Sequence, residues 1–485
     1  MFSKFQRLTS NQAIGELFSY SFWSILGTLI SKVLLFCIWI VVARLLLAEK
    51  YGEFTIIRST TLLFADFVGF SFGIAATKYI AQYFGHDNDK VKRLMGAFLF
   101  YGVILGVLLS LLLYFAAEWI CIKLLNAEYL TNLLKCTSVV MLVSTLNNSQ
   151  LGILRGFNLY KEITYINVIH ILCSFPVYVL GTYFGGLSGA VIAYIWYNVI
   201  ICILAQYVIR KFCKTENIEP VYKGINREFQ VILKYALPYF FSMLLTMFAQ
   251  WYNESKLVSI GGQGFTQLGY YSAVNVIQTM VIGITIMLCV PFVSMMSKYN
   301  KQKESFVLEK LNILLPLYLG VIIAIPIMIF PEILSMFYGE DFANEEMYII
   351  TIIMISYSIL IIYKQALARL VAVYEMQWFY LLDSLLLSIL FLLGFNSLNY
   401  LGIQGLVVTY LISYIISSLI FTPLYIKKKM IDINLFKDRM FLYLLLFVVI
   451  ACFAYKIFPN IWWRVVLFLT LCLAMFFQLR VKLRR

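Results

Sequence analysis

Apolar runs of about 20 residues or more follow one another along this chain with only short polar breaks between them. A run of that length, coiled as an α-helix, spans the hydrocarbon of a bilayer while satisfying all its backbone hydrogen bonds internally. The runs fall at 18–47, 53–83, 94–117, 133–155, 163–184, 187–209, 231–258, 266–297, 310–331, 346–372, 377–396, 402–426, 440–458 and 462–479. Only 13% of the residues are charged and 62% are hydrophobic, whereas a soluble domain has about 25% charged residues. So apolar a chain cannot cover itself with polar surface. The expected fold class is all-α: a polytopic transmembrane helix bundle of about 14 helices.

The formal net charge of +14 would point to nucleic acid in a soluble protein. Here the cations gather in alternate breaks. With the N-terminus in the cytoplasm, about 26 of the 38 Lys and Arg fall on the inner side and about 6 on the outer side. The break around 338–346 on the outer side is acidic, with Glu340, Asp341, Glu345 and Glu346. The charge is therefore read as topology, with both termini cytoplasmic, membrane lipids as partners and no nucleic acid. The residue usage suggests a bacterial host, so the expected location is the bacterial cytoplasmic membrane. Met1 to Glu16 is polar, and no cleavable signal peptide is expected. The nine cysteines form no CxxC pair, and the two histidines, His86 and His170, build no metal cluster. No cofactor is expected.

The two halves of the chain repeat. Arg155 and Tyr160 recur as Arg369 and Tyr374, and Gly186-x-x-Gly189 with Tyr194 recurs as Gly402-x-x-Gly405 with Tyr410. Gly52 recurs as Gly269, and the Asn126–Glu128 break recurs near Glu340 and Asp341. Six helices separate the equivalents, so both repeats have the same orientation and their pseudo-two-fold axis runs along the membrane normal. The expected organisation is an N-terminal lobe at 1–209, a cytoplasmic linker at 210–230, a C-terminal lobe at 231–426, and an added helix pair with a tail at 427–485.

Ionisable groups inside a membrane are costly and tend to face partners or water-filled cavities. Lys32, Arg58, Asp66, Glu254, Lys364 and Asp383 lie within the apolar runs. Depth on adjacent helices pairs Lys32 with Asp66 and Lys364 with Asp383. Each pair is either a packing salt bridge or a functional group, and both readings stand. Arg58 has no partner at its depth and is the leading anion-binding candidate. Polar residues at helical spacing add Asn147 and Asn148 on helix four, Gln250 and Asn253 on helix seven and Asn275 on helix eight. Such stripes either hydrogen-bond between helices or line a hydrated cavity. There is no G-x-x-x-x-G-K-[ST] loop, no nucleophile–base motif and no large extramembrane segment, which argues against an ATP-driven pump and an enzyme.

Val42-Ala43-Arg44-Leu45-Leu46 followed by Lys50-Tyr51-Gly52-Glu53-Phe54 resembles the helix one–two junction of the polysaccharide exporters. Gly73 to Ile80 and Leu154-Arg155-Gly156-Phe157-Asn158-Leu159-Tyr160 are similar to further junctions of the same family. The resemblance is to the O-antigen and capsular polysaccharide flippases of the multidrug/oligosaccharidyl-lipid/polysaccharide exporter superfamily, and it covers nearly the whole chain. It implies two six-helix lobes arranged in a V, with an extra C-terminal helix pair, that open alternately to each side. The implied substrate is an undecaprenyl-pyrophosphate-linked oligosaccharide. Lys32 and Arg58 match by helix the basic residues that hold its anionic head. Some relatives carry a functional cation on helix seven or eight. Here helix eight has none in its core and helix seven has Lys234 and Lys256 only near its ends, which leaves Lys364 for that part. Asp66, Glu254 and Asp383 are the candidates for coupling to a proton or sodium gradient. A polysaccharide polymerase and chain-length regulators are the implied protein partners. The competing readings are a drug–cation antiporter of the same superfamily and a membrane enzyme of polysaccharide assembly.

Overall fold

The computed structural model describes residues 12–260, 262–287, 289, 296, 305–374, 376–428, 430–436 and 438–484, and the side chains of these except at 12–28, 64, 66–71, 74, 226–240, 242, 243, 287, 305–307, 372, 377, 439, 476 and 479–484. Among the described residues the chain is helical, with no strand. Helices α1 (Gln12–Tyr83), α2 (Asn88–Trp119), α3 (Thr131–Gly156), α4 (Tyr160–Glu216) and α5 (Asn226–Ser259) come first. They are followed by α6 (Gly264–Met287), α7 (Ser305–Ile329), the one-turn-and-a-half α8 (Ile333–Tyr338) and α9 (Glu345–Val373). Last come α10 (Gln377–Leu398), α11 (Gly402–Lys427), α12 (Arg439–Ile457) and α13 (Ile461–Arg484). Nine stretches of the described residues are long and apolar enough to cross a membrane. Some of these hold two crossings. At 57 residues, α4 would run about 85 Å as a straight rod, against about 30 Å of hydrocarbon. It breaks at Gly186, and the 72-residue α1 breaks at Leu47. Dividing those two among the twelve helices longer than α8 gives the fourteen segments expected from the apolar runs.

The breaks carry the internal repeat into the backbone. Gly186 has φ 53° and ψ −132°, and Gly402 has φ 57° and ψ −132°. An L side chain rarely adopts this conformation, so glycine is required at both. Just beyond each turn the chain passes close to itself. A Cβ on Gly189 would lie 1.8 Å from the Gly181 carbonyl oxygen, and one on Gly405 would lie 2.1 Å from that of Leu398. The break in α1 has its counterpart as well: Leu47 has φ 62° and Gly262 has φ 68°.

The polar segment between the first two runs is not a loop. Helix resumes at Ala48, directly after Leu47. The cap comes from far along the chain, since the Ala48 N–H donates to Asp341 Oδ2 at 2.6 Å. No local sequence signal announces such a cap.

The chain forms two compact units. Unit 1 comprises Met1–Leu46 and Glu53–Trp251, and unit 2 comprises Leu47–Gly52 and Tyr252–Arg485. Lipid tails are as apolar as leucine, so close packing and interhelical hydrogen bonds hold such units together. In unit 1 small residues let α1 and α3 touch, where a Cβ on Gly152 would meet the Gly73 carbonyl at 2.4 Å. Above that contact Thr61 Oγ1 donates to Thr137 Oγ1 at 2.9 Å. A buried apolar cluster including Ala76, Phe98, Leu154, Ile209 and Ile218 ties α1 to α4 and to the segment after α4. That segment is fastened by the Val221 N–H to the Lys92 carbonyl at 2.9 Å.

Unit 2 repeats this plan with other chemistry. Gln278, 217 residues beyond Thr61, donates to the Met354 carbonyl at 2.9 Å, and Met354 stands 217 residues beyond Thr137. The C-terminal pair packs on α7 and on the turn that follows it. Lys310 pairs with Asp438 at 2.6 Å, Tyr318 donates to the Met475 carbonyl at 3.0 Å, and Arg464 pairs with Glu332 at 2.7 Å.

Candidate functional site

In unit 1 the residue that stands out is Arg58. Its guanidinium carbon lies 4.3 Å from the ring centroid of Trp39, across the break that divides α1. Trp39 is held in turn by Phe54 at 5.9 Å and by Tyr178 at 5.4 Å, the latter edge-on. Phe54 meets Tyr194 edge-on at 6.3 Å. These rings are buried, while Arg58 is half-buried. Its Nε is shielded and has no hydrogen-bond acceptor, and no carboxylate pairs with it among the described residues. A cation held on a π face with an unsatisfied donor is chemically ready for an oxyanion.

The other unit 1 candidates lie on three helices, α1, α3 and α5. Lys32 is half-buried in α1. The side chain of Asp66, its expected partner, lies outside the described residues. Asn147 and Asn148 are half-buried on α3, and Asn147 Oδ1 is shielded without a partner. Gln250 is half-buried on α5. The next residue, Trp251, fastens that helix by donating Nε1–H to Thr60 Oγ1 at 2.9 Å.

In unit 2 the candidates fall into two groups. Asn253 and Glu254 are buried on α5. Asn253 donates to the Phe391 carbonyl at 3.0 Å, and Glu254 lies within electrostatic reach of Tyr271, Tyr357 and Tyr410. Phe391 meets Tyr410 at 4.6 Å with the rings tilted, and Tyr357 lies parallel to Tyr414 at 5.9 Å. Gln278 accepts from Tyr357 at 3.4 Å. Asn275 sits half-buried on α6. The second group joins α9, α10 and α11. Lys364 donates to Asp383 Oδ1 at 2.5 Å and to Ser417 Oγ, which itself donates to Asp383.

The structure thus brings Lys364 to Asp383, as depth predicts, and adds Ser417, which the sequence reading does not include. It also places Trp39 under Arg58. Tyr410, Tyr414 and Ser417 recur at helical spacing on α11, a signal present in the sequence. The Trp39–Arg58 contact leaves no such signal, because aromatic residues are common throughout this chain.

The sequence pattern of the family described as "Polysaccharide biosynthesis protein" matches residues 19–297, more than half of the 485 residues. The chain belongs to that family. No curated protein matches it in sequence. Among solved structures, the lipid II flippase MurJ in an inward closed conformation superposes with a TM-score of 0.71 at 16% identity, over 95% of this chain and 99% of that one. An inward-facing multidrug resistance MATE family transporter of the MOP superfamily gives 0.60 at 14% identity, over 85% and 96%. A MOP superfamily transporter from Pyrococcus furiosus, described as having a binding pocket of reversed polarity, gives 0.55 at 14% identity, over 90% and 96%. At these identities the likeness shows the fold alone, one that these transporters share; the long apolar helices mark a multi-pass membrane protein.

Proposed function

We propose that this chain is a flippase. Its substrate is an undecaprenyl-pyrophosphate-linked oligosaccharide, the repeat unit of an O-antigen, capsule or exopolysaccharide. It carries that unit from the cytoplasmic to the outer leaflet of the bacterial inner membrane by alternating access. The observation that carries the reading is Arg58, a cation stacked on Trp39 with a shielded donor and no acceptor. A diphosphate supplies both the charge and the oxygen that this group lacks.

In this reading Arg58 and Lys32 hold the diphosphate. Asn147, Asn148 and Gln250 offer amide groups to the sugar hydroxyls, and the polyprenyl tail stays in lipid. Glu254 among its tyrosines is the leading carboxylate for coupling to a proton or sodium gradient, with Asp66 as a second. Lys364 and Asp383 engage each other and Ser417, so we assign them to joining α9, α10 and α11. Polymerase and chain-length regulators act on the delivered unit. A second reading, a drug–cation antiporter, draws support from the same Glu254 and tyrosine rings, which suit an organic cation.

Complementation tests both. The chain is expressed in bacteria that lack their own O-antigen or capsule flippase, and surface polysaccharide is scored for wild type and Arg58→Ala at equal membrane abundance. Restored polymer that Arg58→Ala abolishes is the expected result. Full export by Arg58→Ala would sink the assignment of the head group to this residue. Drug resistance without polymer would favour the antiporter.

A further inference from the structure

A guanidinium keeps all its N–H bonds in one plane. Whatever fixes that plane therefore fixes the direction in which every donor points. In this protein the guanidinium carbon of Arg58 sits over a ring, 4.3 Å from the Trp39 centroid. Trp39 is only 8% exposed, and two fully buried neighbours, Phe54 and Tyr178, brace it. The bracing extends further: the ring centroids of Tyr178 and Tyr197 are 6.0 Å apart, and those of Tyr197 and His170 are 4.2 Å apart, both pairs tilted. His170 Nε2 is tied to the Tyr197 carbonyl at 2.8 Å. The ring beneath Arg58 is thus part of a packed aromatic wall that spans α1 and both segments of α4.

The internal repeat isolates the pair. Leu47 and Gly262, the paired breaks, are 215 residues apart, and the same offset carries Trp39 to Glu254. The Thr61–Gln278 offset of 217 carries Arg58 to Asn275. The wall itself persists, since Phe54 becomes Tyr271 and Tyr194 becomes Tyr410, which still meet edge-on at 6.4 Å. Where the tryptophan is gone, the arginine is gone with it.

We infer that Trp39 is a positioning residue: its ring presents the Arg58 guanidinium edge-on to a diphosphate, so that two oxygens are met by a planar fork of N–H donors. The inference rests on the reading that Arg58 binds the diphosphate head. Stacking also partly desolvates the cation, which strengthens its attraction for an anion. A lysine at position 58 lacks the plane and forms no such fork.

The test uses the purified full-length chain in lipid nanodiscs, with farnesyl diphosphate and inorganic pyrophosphate as probes and binding read by calorimetry. Trp39→Leu should weaken both probes by about 5- to 30-fold, the range of a partly desolvated cation–π contact, while Trp39→Phe stays within a few-fold of wild type. In an Arg58→Ala background, Trp39→Leu should cause no further loss, which a merely structural tryptophan would still cause. To avoid misfolding, 5-fluoro- and 5,7-difluorotryptophan are placed at position 39 alone. Their shape is nearly unchanged but their π face is weaker, so affinity should fall step by step. A flat fluorine series, with Arg58→Ala binding more weakly than wild type, overturns the positioning role and leaves the head-group reading intact. Wild-type affinity in Arg58→Ala overturns that reading itself.

Discussion

Lys364 and Asp383 form an ion pair inside unit 2, Nζ to Oδ1 at 2.5 Å, with side-chain exposures of 8% and 5%. Ser417 completes the group by bonding to both. Removing one partner leaves an uncompensated buried charge, typically at a cost of about 3–5 kcal/mol. Lys364→Met and Asp383→Leu should each lower folded yield and thermal stability in detergent. The double variant should recover most of both and should still export polymer. A double variant that folds but exports nothing would move the pair from joining helices to function.

Leu47 holds φ 62° and ψ 173°, a region that is essentially reserved for glycine and costs other residues about 1–3 kcal/mol. Its repeat counterpart is Gly262. Leu47→Gly should therefore raise the unfolding temperature, in spite of the greater chain entropy of glycine. A fall in that temperature would show that the leucine side chain contributes more than its backbone costs.

Gly189 and Gly405 allow the two closest self-approaches just after the tight turns. An alanine Cβ would lie 1.8 Å and 2.1 Å, respectively, from a carbonyl oxygen, and backbone cannot yield as a flexible side chain does. Gly189→Ala and Gly405→Ala should each cost about 1–3 kcal/mol or more, measured as loss of monodisperse protein. Gly185→Ala, next to the first turn but in open space, is the control expected to leave yield unchanged.

Glu254→Gln keeps the size and hydrogen-bonding reach of the buried side chain while removing its charge. Proteoliposomes carrying this variant should bind substrate as wild type does but lose acceleration by an imposed proton or sodium gradient. Unchanged gradient response would remove Glu254 from the coupling role.

Much of the fold was legible in residue order. The helix count follows from run length against bilayer thickness, and the repeat follows from pairs such as Gly186 and Gly402, whose dihedrals agree to within a few degrees. Depth along neighbouring helices was enough to bring Lys364 to Asp383. Ser417 was not legible as their partner, because helical spacing tells which side of α11 it occupies but not which helix that side meets. The Ala48 cap from Asp341 escaped for a related reason: the donor and the acceptor are linked only by packing.

Hydrophobicity and periodicity are properties of consecutive residues, and so the sequence by itself determined the class of protein, the number of crossings and the duplication. Which face turns to which neighbour depends on side-chain shape summed over several helices. That packing, and nothing local, put the Trp39 ring under Arg58 and left the Nε without an acceptor.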